Sequence, residues 1–186
     1  MRRWLGLTYV AIGTVACVPI YRVPRLKATA EFTLTAENDS SGTTSRNVLV
    51  WVYKDEECER HPYGMRAGSD FGNSPVETTD PTPIAAGEPF VFSAYYGDSR
   101  FAQNRTCVST GVFTPVAGHR YRALLAVSGE VTSCKLGVYD ATSGQPEQIP
   151  ISMPRYVCDD SGKTARPNGQ PLWQNWHIKT MPIPVR

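Results

Sequence analysis

Glycine and proline, 15 of each, break this chain at short intervals. What lies between them alternates with period two rather than with the 3.6-residue repeat of a helix. Ala28, Ala30, Phe32, Leu34 and Ala36 interleave with Thr29, Glu31, Thr33 and Thr35, the pattern of a half-buried strand. Val48 to Tyr53 is a continuous β-branched and aromatic run that reads as a strand covered on both faces. Pro89 to Gly97 and Arg105 to Phe113 give two more strands. Arg120–Ser128 and Val131–Asp140 give a hairpin turning near Ser128-Gly129-Glu130. Tyr121, Ala123, Leu125 and Val127 share one face of its first strand, and Cys134, Leu136 and Val138 one face of its second. Leu172–Lys179 reads as a terminal strand. Two stretches show no period: 61–88, a long Gly/Pro/Ser/Thr-rich loop, and 143–171, a Pro-rich one. A chain of 186 residues with 41% hydrophobic side chains supports one domain with its own core. The expected architecture is all-β, an antiparallel β-sandwich of about seven strands with long disulfide-stapled loops over residues 28–186.

The N-terminus is of another kind. Arg2 and Arg3 precede an uncharged run from Trp4 to Ala16. That run is too short for a bilayer span, which needs about 20 residues, and is the right length for the apolar region of a signal peptide. It closes on Thr14-Val15-Ala16-Cys17. This stretch resembles the lipobox of bacterial lipoproteins, which implies cleavage after residue 16 and acylation of the Cys17 thiol. Thr14 stands where the usual residue is leucine. Ordinary signal-peptidase cleavage at the same bond and a buried N-terminal strand are the competing readings. The Arg pair is weakly similar to a twin-arginine signal, without its flanking residues. On the lipobox reading, 1–16 is removed and 17–27 carries the lipid and tethers the domain. Val18 after the cysteine, where enteric lipoproteins retained at the inner membrane have Asp, implies the periplasmic face of the outer membrane.

Cysteine number agrees with export. Five cysteines leave one thiol over, whereas acylation of Cys17 leaves Cys58, Cys107, Cys134 and Cys158 to form two bridges in an oxidising compartment. Three pairings are possible. Cys58–Cys107 with Cys134–Cys158 is preferred because each joins sequential segments, and loops of that size stabilise by about 3–4 kcal/mol.

The stretch Phe113-Thr114-Pro115-Val116-Ala117-Gly118-His119-Arg120-Tyr121 leads into an alternating strand. It resembles the corner that precedes a late strand in immunoglobulin-like and transthyretin-like sandwiches. The resemblance implies that the Tyr121 hydroxyl bonds back to the preceding backbone. It concerns fold and carries no activity.

Little in the chain specifies chemistry. The formal charge of +2 disappears when Arg2 and Arg3 are cleaved away, and the basic residues are scattered, so no nucleic-acid footprint is expected. Cys58 and His61 have C-x-x-H spacing but lack a second ligand pair, so a disulfide is expected there rather than zinc. No G-x-S-x-G elbow marks a nucleophile, and Asp159-Asp160 reads as a solvated turn. Trp173, Trp176 and His177 form an aromatic, polar cluster for which closing the core is the favoured reading and binding a sugar or peptide the alternative. Asn38-Asp39-Ser40 and Asn104-Arg105-Thr106 match glycosylation sequons by coincidence. Tyr63, Met65, Arg66 and Phe71 are bulky residues on a segment otherwise built of turn formers, and are the candidate partner-binding residues.

The expectation is therefore a non-catalytic, cofactor-free and metal-free lipoprotein. It would be held to the lipid bilayer through Cys17 and would bind another protein as a component of an envelope complex. An immunity or inhibitor protein acting against a periplasmic toxin, and a sugar-directed binding protein or enzyme, are the alternatives.

Overall fold

In the computed structural model, residues 20–38, 45–58, 63–65, 69–70, 74–159 and 162–175 are described. Cys17, His61, Arg66, Phe71, Asp160, Trp176 and His177 lie outside them.

Alternation becomes architecture directly. In β1 (Thr29–Asn38), Ala30, Phe32, Leu34 and Ala36 are buried as their spacing requires. β2 is Ser45–Tyr53, β3 Tyr63–Met65, β4 Ser69–Asp70, β5 Val76–Thr78, β6 Thr82–Ala85 and β7 Phe90–Ser99. β8 is Gln103–Phe113, β9 Arg120–Ser128, β10 Ser133–Asp140 and β11 Glu147–Ile149. β12 is Tyr156–Asp159, β13 Gly162–Pro167 and β14 Pro171–Asn175.

These strands form two six-stranded sheets and a small hairpin. The front sheet runs β11-β10-β9-β1-β5, with β6 also on β1, and the back sheet runs β14-β8-β7-β2-β3, with β4 also on β2. All pairings are antiparallel except β1 with β9, which is parallel over Glu31–Asn38. The protein is an all-β sandwich with more strands than the seven expected.

The additional strands come from the two stretches without period. The 61–88 segment is not one long loop: β3 and β4 pair with β2, then β5 and β6 pair with β1. Short edge strands are made by backbone hydrogen bonds alone and need no side-chain alternation. Pro83 within β6 fits that edge position. The 143–171 segment likewise holds β11 and the β12–β13 hairpin.

Between the sheets, Phe32 of β1 meets Phe92 of β7 at 5.0 Å between ring centroids, and Phe113 of β8 meets Tyr121 of β9 at 4.9 Å. The β12–β13 hairpin covers the outer face of the back sheet. Ser93 Oγ donates to the Cys158 carbonyl at 2.7 Å, Cys158 N donates to Thr110 Oγ1 at 2.9 Å, and the Tyr53 hydroxyl donates to the Asp159 carbonyl at 2.9 Å.

That covering layer also corrects the disulfide expectation. The bridges are Cys58–Cys158 and Cys107–Cys134, not Cys58–Cys107 and Cys134–Cys158. The hairpin lays Cys158 on the sheet beside the end of β2, within 6.1 Å (Cα to Cα) of Cys58. Cys107 on β8 and Cys134 on β10 face each other across the core. Nearness in sequence was the wrong guide, because partners were chosen by sheet position. The Tyr121 corner is formed: Val116 N–H donates to the Tyr121 hydroxyl at 3.0 Å.

Candidate functional site

The strand directions define two ends. At one, residues 20–28 form a strap beside the 85–89 and 113–119 loops, where β1, β7 and β9 begin. At the other, here called distal, lie the β7–β8 and β9–β10 turns.

The distal end is built on a tight hairpin. Arg100 N–H donates to the Gln103 carbonyl at 2.9 Å, which leaves Phe101 and Ala102 at the tip. Phe101 is 89% exposed. Beside it, Arg100 pairs with Asp98 at 3.1 Å and with Glu130. Arg105 also pairs with Glu130 and donates to its backbone carbonyl at 2.8 Å. The Arg105 and Arg100 guanidiniums hold the Glu130 carboxyl below its ordinary range through hydrogen bonds and charge. Arg105 then lies over the Trp173 ring, 4.8 Å from its centroid, and the Trp173 indole N–H donates to the Val131 carbonyl at 3.0 Å. Trp173 therefore does not close the core as favoured from sequence: it stands on an edge strand, 47% exposed.

Val131 carries strain. It has φ +59°, a left-handed conformation costly for a β-branched residue, yet its side chain is fully buried. Burial holds the backbone in place, and the backbone aims the carbonyl at Trp173.

Beneath this surface the core turns polar. Arg46, Glu77, Tyr96 and Asp98 are all buried between the sheets. Burial pushes the Tyr96 hydroxyl up to about 12 against the opposing charge of Arg46, so it stays a neutral phenol. Asn38 is buried with its amide donating to the Val127 and Gly129 carbonyls, a structural role for the first residue of the Asn38-Asp39-Ser40 triplet.

The strap end holds a different pair. His119 Nδ1 and Asp140 Oδ2 are 2.6 Å apart. Desolvation raises the Asp140 carboxyl, but hydrogen bonds from Thr142 and His119 outweigh it and set the value at about 2. The Thr142 hydroxyl beside the pair donates to Asp140 Oδ1 at 2.5 Å and accepts the Arg120 N–H at 2.9 Å, and the group reads as a corner lock.

Of the candidate partner-binding residues, Tyr63 and Met65 lie on β3, opposite Val52 and Val50, at the edge of the back sheet. Arg66 and Phe71 lie outside the described residues. The sulfur of Cys58 is engaged with Cys158 and is not a free thiolate for a metal. Among the described residues, no group of three or more His, Cys, Asp or Glu side chains is placed to hold a metal ion, and no helix is long and apolar enough to cross a membrane. Phe101 was missed at the sequence level. A lone aromatic between Arg100 and Ala102 carries no period, and only the turn geometry shows that it protrudes.

No protein-family model, curated protein or solved structure matches the chain.

Proposed function

We propose that this chain is an exported bacterial lipoprotein, anchored through Cys17 in the outer membrane, which binds another envelope protein without catalysis. The observation that carries the binding role is the distal group of Phe101, Arg105 and Trp173. Aromatic and arginine side chains are the residues on which protein interfaces concentrate their energy. Phe101 and Trp173 are exposed, and Arg105 and Trp173 are held in place by the Arg105–Glu130 ion pair and the Trp173–Val131 hydrogen bond, so these two side chains lose little freedom on binding. One face of the Trp173 indole is occupied by Arg105, which favours a protein contact over a sugar stacked on that ring. The β3 edge at Tyr63 and Met65 is a second contact region in this reading, since an edge strand offers backbone groups to an incoming strand.

The export reading rests on the leader preceding Cys17 and on the two bridges that use all four remaining cysteines. Crosslinked pull-down of the anchored protein tests the binding role. Phe101→Ser and Trp173→Ala are expected to lose the captured partner. For Phe101→Ser the unfolding free energy should stay within about 0.5 kcal/mol of the parent, as for an exposed position. Full capture by both variants would rule out this surface.

A further inference from the structure

We infer that the strap end of the sandwich rests on the phospholipid bilayer, holding the domain upright with the Phe101 end turned away from the membrane. The inference rests on the lipid-anchor reading of Cys17 and adds to it an orientation and a membrane-facing surface.

Chain length comes first. Three peptide units separate Cys17 from Ile20 and span at most about 11 Å when fully extended. A free tether over 17–27 would let the domain tumble, but from residue 20 onward the strap belongs to the body. The Tyr21 ring packs edge-on against Phe90 at 6.1 Å between centroids, and its hydroxyl accepts the Ala85 N–H at 3.2 Å. Lys27 pairs with Glu88, and Ala86 N–H donates to the Ala28 carbonyl at 2.9 Å. Acyl chains in the bilayer would therefore place this end at the headgroups and set its angle.

The surface offered there suits that position. Ile20, Leu26 and Val116 are large apolar side chains exposed at the strap end. Leu26 is the most telling of them. It has φ +71°, a strained conformation for a leucine, and its side chain is fully exposed. Strain and exposure are both unfavourable, and the 3.4 Å bond from the Lys27 N–H to the Pro24 carbonyl that closes the turn does not bury the side chain. Insertion among acyl chains and headgroups would. Arg22 and Arg25 flank it on the strap, within reach of lipid phosphates. Asp55 and Glu56 lie at the same end, so the contact depends on the short tether and the apolar side chains more than on net charge.

Hydroxyl-radical footprinting of the acylated full chain, in vesicles of phosphatidylethanolamine and phosphatidylglycerol, tests this against Cys17→Ser protein in solution. Oxidation of Leu26 and Val116 should fall several-fold on the vesicles, while Phe101 and Trp173 stay unchanged. An acyl group present by intact mass with Leu26 and Val116 still fully oxidised would overturn the orientation and leave the anchor standing. An intact mass without the acyl group would overturn the anchor and the orientation with it. Inserting a Gly/Ser linker of about ten residues between Pro19 and Ile20, where the described residues begin, should restore oxidation while acylation persists. Protection that survives the insertion would overturn the tether argument.

Discussion

The two halves of this sandwich are packed by opposite means. Toward the strap, Phe32, Phe90, Phe92, Phe113 and Tyr121 form one aromatic cluster with ring centroids 4.9–6.4 Å apart. Toward the distal end the sheets enclose Arg46, Glu77, Tyr96 and Asp98. Apolar burial is non-directional and stabilises in proportion to area. Buried charges add little net stability, but they fix geometry when paired. The strap half is thus the stable platform, and the distal half is the part whose shape is specified. The Cys107–Cys134 bridge crosses the core in that polar half, with Cys107 paired opposite Tyr96.

The disulfides probe this contrast most strongly. Cys58–Cys158 closes 100 residues and Cys107–Cys134 closes 27. In the chain-entropy picture their removal costs about 5 and about 3.5 kcal/mol. Paired Cys→Ala variants, followed by urea denaturation, should keep that order. A reversed order would mean that the distal half depends on its bridge more than loop closure accounts for.

Gly162→Ala comes next. Gly162 has φ +107°, and a Cβ there would stand 2.9 Å from the Cys58 carbonyl oxygen. Strain and clash together should cost about 1–3 kcal/mol, readable as a lower urea midpoint. Tyr121→Phe removes the acceptor of the Val116 N–H and should cost about 1 kcal/mol, with no change at the distal end.

The last test is a pH dependence. Asp140 has a folded-state pKa of about 2, below the roughly 3.9 of an unfolded aspartate. Its contribution is therefore complete above the unfolded value and is lost as pH falls through the folded one. The Tm advantage of the parent over Asp140→Asn should shrink from pH 5 to pH 2. An advantage that held constant over that range would exclude His119 and Thr142 as the groups that lower the Asp140 value.

What the sequence revealed follows the same division. β1 and the β9–β10 hairpin were legible because one buried face forces alternation, and Phe32, Leu34, Leu125 and Val138 are buried where period two puts them, whereas β2, β7 and β8 were legible as strand-forming runs between turn formers. β3 to β6 and β12–β13 were not, since edge strands of two to six residues are set by backbone pairing. The parallel β1–β9 pairing was invisible for a different reason, as strand order depends on partners remote in the chain. Val131 alternated well enough to be read as a strand residue, but it is the left-handed corner before β10. At the distal site Trp173 was noticed and misplaced, because an aromatic near a chain end reads equally as core. The protrusion of Phe101 and the Arg105–Glu130 pair beside Trp173 needed the hairpin geometry to be seen.

The division of labour between the two ends is tested most directly by site-specific photocrosslinking in the cell envelope. A photoreactive residue is placed at Phe101 in one variant and at Val116 in another. Discrete protein adducts are expected from position 101 and lipid adducts from position 116. Protein adducts from 116 with none from 101 would contradict that division.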